Sequence, residues 1–352
     1  MEAAPVLSKL YISPAFAMQS GIASYAQVFY RDVLQPRGFE HRSFSTPIEF
    51  ESFVARFQKL PEVHVEVGVG THTEQLILWR LLAMGAVVDV TLHDPPYVAF
   101  PHYKFGSKQL NQLSKAAQLA LPQRLFGQRL VERARRIYVL SRRGGELIQR
   151  AYPRAQVRHI PHVVVALPVG LQVDSPSMVY TGFIGPKKGL DYALSLHAAL
   201  RSSHPDLEMQ VTGKPVNAST ASYLASLQAR YHDGVLYTGY LARAELSALL
   251  SVGHLVILPT HNYRTVCPVS GNVVYALAGG SVVVTTPANA NAELVEPGVN
   301  GEFLSFDKRR DTQRLSQLLD DETKRKKMIA AARARIFKQN SPQEVGRLMD
   351  HD

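Results

Sequence analysis

His254-Leu-Val-Ile-Leu-Pro259 is a short apolar run closed by proline, a pattern typical of a strand buried on both faces of a sheet. A polar loop follows it, and residues 272–278 then predict a helix that ends at Gly279-Gly280. Residues 281–286 predict the next strand, which Pro287 ends. A strand, a loop, a helix and a strand in this order predict one unit of a parallel α/β sheet.

The start of the predicted helix is a candidate anion site. Ser270, Gly271 and Asn272 are small or polar, and the backbone N–H groups of a first helical turn have no partner within the helix. Together with the helix dipole, such groups suit a phosphate. The alternative is an ordinary helix capped by Ser270 with no ligand.

The length of 352 residues predicts two domains, and a hydrophobic content of 46% supports a substantial core in each. Residues 167–176 mix proline, glycine and polar residues and form the candidate linker. We therefore expect a first domain over residues 1–170, a second over 171–335, and a tail or helix over 336–352 that packs back on the first domain.

The composition also bears on the compartment. Cys267 is the single cysteine, which excludes an internal disulfide and fits a reducing environment. Met1-Glu-Ala-Ala-Pro5 lacks the basic and then apolar pattern of a signal peptide, and no apolar run is long enough to span a membrane. We expect a cytoplasmic protein.

The formal net charge of +10 calls for an anionic partner or another explanation. Positive charge is dense between Arg124 and Arg143, where Leu125, Phe126 and Leu130 alternate with arginines at near-helical spacing. This pattern suits a helix lying on an anionic membrane, at the inner face for a cytoplasmic protein. A solvated helix face is the alternative. No nucleic-acid motif and no interleaved stacking aromatics are present, so we expect no nucleic-acid partner.

Both halves of the chain alternate strand and helix patterns, which predicts two Rossmann-like βαβ domains facing each other across a central cleft. His93 follows the predicted strand 87–92, and the carboxyl end of such a strand faces the ligand crevice. No Gly-x-Gly-x-x-Gly fingerprint supports nicotinamide binding. His159 and His162 have no cysteine or carboxylate at a metal-ligand spacing, so no zinc site is predicted.

Four blocks of the second half resemble the retaining glycosyltransferases of the GT-B fold, family 4. They are Tyr180-Thr-Gly-Phe-Ile-Gly-Pro-Lys-Lys-Gly-Leu-Asp191, Val235-Leu-Tyr-Thr-Gly-Tyr-Leu241, Leu255-Val-Ile-Leu-Pro259, and Tyr275-Ala-Leu-Ala-Gly-Gly-Ser-Val-Val-Val-Thr285 onward to Glu293-Leu-Val-Glu-Pro-Gly-Val-Asn-Gly301. In the first half, Gly21-Ile22, Leu92-His93-Asp94 and Ile160-Pro161-His162 fall where the family has similar pieces. The resemblance implies a metal-independent enzyme without a cofactor. It would move a sugar from a nucleoside diphosphate to a glycan or lipid-linked acceptor with retention of configuration.

The resemblance also implies roles for single residues. His93 would contact the donor sugar or support charge near the anomeric carbon, and Lys188 would bind phosphate as the second catalytic residue. The further implied positions are, for the diphosphate, Gly21, Ser270, Gly271 and Asn272; for the nucleoside, Gly213, Gly239, Tyr240, Leu241 and Tyr275; for the donor sugar, Cys267, Pro268 and Val269.

The sequence departs from the family at three of its usual side chains. Cys267 and Tyr275 stand where the family places two glutamates, and neither residue can replace a carboxylate that accepts two hydroxyl protons. Phe183 replaces the arginine of the first block, and Arg264 is a hypothetical substitute for its charge. The alternative function is therefore a catalytically silent sugar-nucleotide-binding or partner subunit. An epimerase or phosphorylase would need an acidic pair or a pyridoxal-bearing lysine motif, and the sequence shows neither.

Overall fold

The computed structural model describes residues 7–96, 109, 131–165, 177–251, 255–263 and 266–350. Twelve strands in these ranges form two sheets. The strands are β1 Lys9–Ile12, β2 Glu40–Arg42, β3 Glu62–Val67, β4 Val88–Leu92, β5 Arg136–Val139, β6 Val157–His159, β7 Met178–Thr181, β8 Met209–Thr212, β9 Val235–Gly239, β10 Leu255–Leu258, β11 Val282–Thr285 and β12 Gly301–Phe303.

Twelve α-helices connect these strands or follow them in the same ranges. They are α1 Gly21–Phe29, α2 Pro47–Val54, α3 His72–Ala83, α4 Arg142–Ala151, α5 Leu190–Leu200, α6 Ala218–Arg230, α7 Arg243–Leu250, α8 Gly271–Gly279, α9 Asn291–Leu294, α10 Lys308–Asp320, α11 Glu322–Asn340 and α12 Pro342–Asp350. A π-helical turn, Tyr30–Leu34, continues α1.

The chain divides into two compact units. Unit 1 comprises Met1–Val163, Thr265–Val269 and Pro342–Asp352, and unit 2 comprises Val164–Arg264 and Ser270–Ser341. The sheet of unit 1 has the order β2-β1-β3-β4-β5-β6, and the sheet of unit 2 has the order β12-β11-β10-β7-β8-β9. Every strand pair in both sheets is parallel, which confirms the predicted α/β class.

Burial on both faces explains why the central strands are continuously apolar. All four residues of β7, of β10 and of β11 are buried. Helices cover both faces of a parallel sheet, so these strands expose no polar face to water. The segment that predicted a strand, helix and strand forms β10, α8 and β11, which confirms the unit on which the fold prediction rested.

The division between the units differs from the sequence-based boundary at residue 170. Val164 already belongs to unit 2, where its backbone N–H donates to the Asn340 carbonyl at 2.9 Å. The last segment also begins later than residue 336. Helix α11 continues to Asn340, and Pro342 opens a new helix, α12, that packs on the π-helical turn of unit 1. In the same unit Arg37 pairs with Asp350 at 2.6 Å.

Three sequence-based interpretations lie wholly or partly outside the described residues. These are the candidate linker, Arg264, and most of the basic segment from Arg124. Arg142 and Arg143, at the end of that segment, form the first turn of α4, which Ser141 caps by accepting a hydrogen bond from the Gly144 N–H at 3.0 Å. Within the described residues, no helix has both the length and the apolarity needed to cross a membrane.

Candidate active site

In unit 1, His93 lies directly after β4, at the carboxyl edge of the sheet. Its backbone N–H donates to the Val67 carbonyl at 2.9 Å, which extends the β3–β4 ladder by one bond. The side chain is buried, and its Nε2 atom is 2.7 Å from Oε2 of Glu66. Glu66 does not stand out in the sequence, because its place in the alternating Val63-His-Val-Glu-Val67 pattern suggests an ordinary strand residue.

Glu66 is a fully buried carboxylate with three hydrogen-bonding neighbours. Tyr11 donates its hydroxyl to Oε1 at 3.0 Å, and Nε2 of His64 lies 3.5 Å from the same oxygen. Burial alone raises the pKa of Glu66, but the hydrogen bonds from His64 and His93 outweigh it and lower this pKa to about 2. Glu66 is therefore ionised at neutral pH and can only accept hydrogen bonds. It follows that Nε2 of His93 carries the proton directed at Glu66.

An aromatic ring separates His93 from a second buried histidine. The ring of Tyr25 makes edge contacts with both His93 and His162, each with centroids 4.8 Å apart. Nδ1 of His162 lies 3.0 Å from the Val163 carbonyl. Burial, and to a lesser degree the nearby His93, lower the pKa of His162 to about 4. The structure thus holds His162 neutral under conditions where an exposed histidine would become charged.

We expect stability to fall as the pH drops from 6.5 towards 4, because His162 must gain a proton on unfolding. The unfolded chain binds more protons than the native chain in this window, so the free energy of unfolding decreases with decreasing pH. The full effect for His162 is roughly 3 kcal/mol. His41, whose pKa burial also lowers to about 4, acts in the same direction.

Chemical denaturation of the wild type and of His162→Leu at several pH values measures the effect. His162→Leu should flatten the profile, whereas His232→Leu, at an exposed position, should not. Equal slopes for His162→Leu and the wild type would contradict this assignment.

Gly68, after β3, is a close-packed position beside His93. A Cβ atom built there would lie 2.8 Å from Oδ2 of Asp94 and 3.0 Å from Cβ of His93. Oδ2 of Asp94 accepts the N–H of Val69 at 2.7 Å, which joins the loops after β3 and β4. Gly21, by contrast, has no atom within 4 Å of such a Cβ, so packing does not require a glycine there. Its predicted role at the phosphates remains a prediction.

The predicted donor-sugar residues Cys267, Pro268 and Val269 belong to the short segment that joins unit 1. Cys267 is buried, and its backbone N–H donates to the Pro95 carbonyl at 2.7 Å. Pro268 and Val269 are half-buried. Cys267 is thus held beside the loop after β4, at Pro95, which follows His93 by two residues.

In unit 2, α8 begins at Gly271, one residue before the start predicted at Asn272. Oγ of Ser270 accepts a hydrogen bond from the Val273 N–H at 3.4 Å, which makes Ser270 the N-cap. The side-chain amide of Asn272 donates to the Thr181 carbonyl at 2.9 Å, which fixes the first turn of α8 to the end of β7. This bond brings the amide close to Gly182, where a Cβ would lie 2.7 Å from Nδ2 of Asn272. Because this side chain is bonded to β7, an anion at the helix start would be bound by backbone N–H groups.

The lysine turn follows the end of β7, to which Asn272 is bonded. Lys187 and Lys188 form one turn of 3₁₀ helix with Pro186, and the ammonium groups lie 5.6 and 5.5 Å from the ring centre of Tyr263. The sequence indicates a role for Lys188 but contains no signal for Tyr263. The loops after β7 and β10 are distant in sequence and come together only in the tertiary structure, because β7 and β10 are neighbours in the sheet.

The predicted nucleoside residues lie at the ends of β8 and β9 and on α8. The Gly213 N–H donates to the Gly239 carbonyl at 2.7 Å, which brings these two strand ends together. Tyr240 is exposed, with the ammonium of Lys214 5.3 Å from its ring centre. Leu241 is half-buried beside it in sequence.

Tyr275 occupies a more enclosed position than the other predicted nucleoside residues. Its hydroxyl oxygen is shielded from solvent, and burial raises its pKa. The guanidinium of Arg243 lies 5.8 Å from its ring centre. Tyr275 thus stands where the resemblance placed a glutamate, with Arg243 beside it.

Two parallel six-stranded sheets in two units define an α/β protein of the GT-B class, and comparison with solved structures agrees. Sucrose-phosphate synthase from Thermosynechococcus elongatus is similar with a TM-score of 0.75 and 15% identity, covering 97% of both chains. Anabaena HepE in complex with UDP and glucose is similar with a TM-score of 0.68 and 15% identity, covering 97% of this chain and 98% of that one.

Comparison with family models gives a match in the second half of the chain. A model of the family "Glycosyl transferases group 1" matches residues 168–335. The alpha-D-kanosaminyltransferase of Streptomyces kanamyceticus is 25% identical over 161 residues, 45% of this chain. The match spans 40% of the length of that relative.

Proposed function

We propose that this protein transfers a sugar from a nucleoside diphosphate to a glycan or lipid-linked acceptor, with retention of anomeric configuration and without a divalent metal. The carrying observation is the cationic edge of unit 2. There the Ser270-capped start of α8 and the turn of Lys187 and Lys188 follow adjacent parallel strands. The family match and the UDP bound by HepE support a nucleotide sugar as the ligand of this edge.

The chemistry explains why such an edge is useful. In the transfer, the bond from the anomeric carbon to the diphosphate breaks and a bond to the acceptor oxygen forms, while the acceptor proton passes to the departing phosphate. Negative charge grows on the diphosphate as it leaves. Fixed backbone N–H groups and ammonium groups stabilise this charge without reorganisation. His93 would contact the donor sugar or support charge near the anomeric carbon.

A catalytically silent sugar-nucleotide-binding or partner subunit is the second candidate. Cys267 and Tyr275 favour it, because neither can accept hydroxyl protons as a carboxylate does. The two candidates differ in turnover, since a silent subunit binds nucleotide but releases no product. We further propose a cytoplasmic location at the inner membrane face, with the basic segment from Arg124 to Arg143 contacting anionic lipid.

We expect one nucleoside diphosphate, or its sugar, to stabilise the protein against heat. A ligand that binds only the folded state, present at about 100 times its dissociation constant, adds roughly 2.7 kcal/mol. The measurement is a thermal-shift panel of UDP, ADP, GDP, CDP and dTDP with their sugars, followed by donor turnover. Lys188→Ala should abolish the shift, whereas Lys327→Ala, at an exposed position of α11, should keep it. A panel without any shift would contradict the proposal, and a shift without turnover would favour the silent subunit.

A further inference from the structure

We propose that the ring of Tyr263 positions Lys187 and Lys188 as a paired ammonium site for the two phosphoryl groups of the donor. This inference rests on the proposed function, and it adds Lys187 and Tyr263 to the site. Both ammonium groups lie within 5.6 Å of the centre of the same ring. An aromatic face attracts a cation through its quadrupole, so the ring restricts where the two flexible side chains place their charge.

The backbone of Tyr263 is held by two reciprocal hydrogen bonds between loops. Its N–H donates to Oδ1 of Asn289 at 3.0 Å, and the Asn289 N–H donates to Oδ1 of Asn262 at 2.8 Å. Asn289 is buried and has a left-handed backbone with φ of 55°, a conformation that asparagine tolerates better than most residues. The loop after β11 therefore fixes the loop after β10, and with it the start of the tyrosine side chain.

The lysine turn is attached to this same frame. The His261 N–H donates to the Lys187 carbonyl at 3.0 Å, and the Lys188 N–H donates to the Gly185 carbonyl at 2.9 Å. Gly189 ends the turn with φ of 71°, and a Cβ there would lie 2.1 Å from the Pro259 carbonyl oxygen. The turn is therefore seated against the loop after β10. With both backbones fixed, the remaining freedom lies in the lysine stems, and the ring of Tyr263 limits that freedom.

The charges around the ring point to an anion as the ligand. Among the described residues, neither Lys187 nor Lys188 forms an ion pair with a carboxylate. The loops that follow β7, β8 and β10 contain no Asp or Glu. Two ammonium groups near one ring repel each other unless an anion lies between them. The diphosphate of a nucleotide sugar carries one charge on each phosphoryl group, which matches one charge for each lysine.

The experiment compares Tyr263→Leu with Tyr263→Phe by titration calorimetry, with inorganic pyrophosphate and the nucleoside diphosphates as probes at two salt concentrations. Tyr263→Leu should weaken binding of both probes about tenfold, whereas Tyr263→Phe, which keeps the ring, should stay within about twofold of the wild type. Tyr231→Leu is the matched control, because Tyr231 also carries a cation, Arg230 at 5.8 Å, but lies at the end of α6. It should bind as the wild type does.

Lysine variants keep the test decisive if Tyr263→Leu folds poorly. Lys187→Met and Lys188→Met should each weaken pyrophosphate binding and reduce its salt dependence. Adding Tyr263→Leu to Lys187→Met should cost less than the two single losses combined. Full additivity, or equal binding by Tyr263→Leu and the wild type, would overturn the positioning role and leave the proposed function standing. Pyrophosphate binding through the lysines without sugar turnover would support the site and reject the transferase. No binding of any probe by the wild type would reject both.

Discussion

Glu66→Gln is expected to reduce turnover of the donor by roughly 10²–10⁴-fold while the protein remains folded. The ionised carboxylate can only accept, so it fixes the proton of His93 on Nε2. A glutamine amide can donate instead, which would permit the opposite tautomer. Exchanging the carboxylate that orients a histidine for an amide reduces kcat by about 10⁴ in serine proteases, where the wrong tautomer results. Glu66 acts through His93 and is a positioning residue.

The measurement is the rate of nucleoside diphosphate release from the donor that binds, resolved into kcat and KM. We expect the loss in kcat, because under the proposed function the imidazole of His93 acts on the donor sugar. Nitrogen-15 shifts of the His93 ring report the tautomer directly and would not change if Glu66 were only structural. Glu62→Gln is the control on the same strand, since it removes only the partly exposed pair with Arg135. An unchanged kcat, or an unchanged tautomer, would disprove the role of Glu66.

Gly213→Ala is expected to lower the free energy of unfolding by roughly 2–5 kcal/mol and to abolish nucleotide binding. Gly213 has φ of 138°, and a Cβ there would lie 1.7 Å from the Gly182 carbonyl oxygen. Gly182 and Gly213 directly follow the parallel strands β7 and β8, and the clash is with the backbone of Gly182. Relief therefore requires the strand ends to separate, which would disturb the loops that carry Lys188 and Lys214.

Gly239→Ala separates the two causes of this effect. Gly239 also has a positive φ, 74°, but no atom lies within 4 Å of a Cβ built there. We expect a loss of about 1 kcal/mol from backbone strain alone, without separation of the strand ends. Thermal and chemical denaturation, with nucleotide titration, test both variants. Equal effects of the two substitutions would show that close approach at Gly213 does not matter.

Local pattern was enough to predict the class of fold. Continuously apolar runs such as Leu255–Leu258 predict strands covered on both faces, and Ser270 before an apolar segment predicts a helix start. Short elements without such a pattern were missed. Strand β2, Glu40–Arg42, has polar residues only, and its parallel pairing with β1 forms it. Helix α6 was missed as well, because only Leu227 of its residues is buried and its apolar period is weak.

The sequence by itself determined two α/β units, and it gave the α8 start as a candidate anion site and Lys188 and His93 as candidate residues. These features depend on neighbours in the chain, such as a cap, a glycine or a strand end. Only the tertiary structure decided which side chains act together. Glu66 and His93 are 27 residues apart in sequence and come into contact because β3 and β4 are adjacent in the sheet. Tyr263 contacts Lys187 and Lys188 because the loops after β7 and β10 lie side by side. The order of the strands in the sheet determines which of these side chains come into contact. That order depends on the packing of the whole unit rather than on any local run of residues.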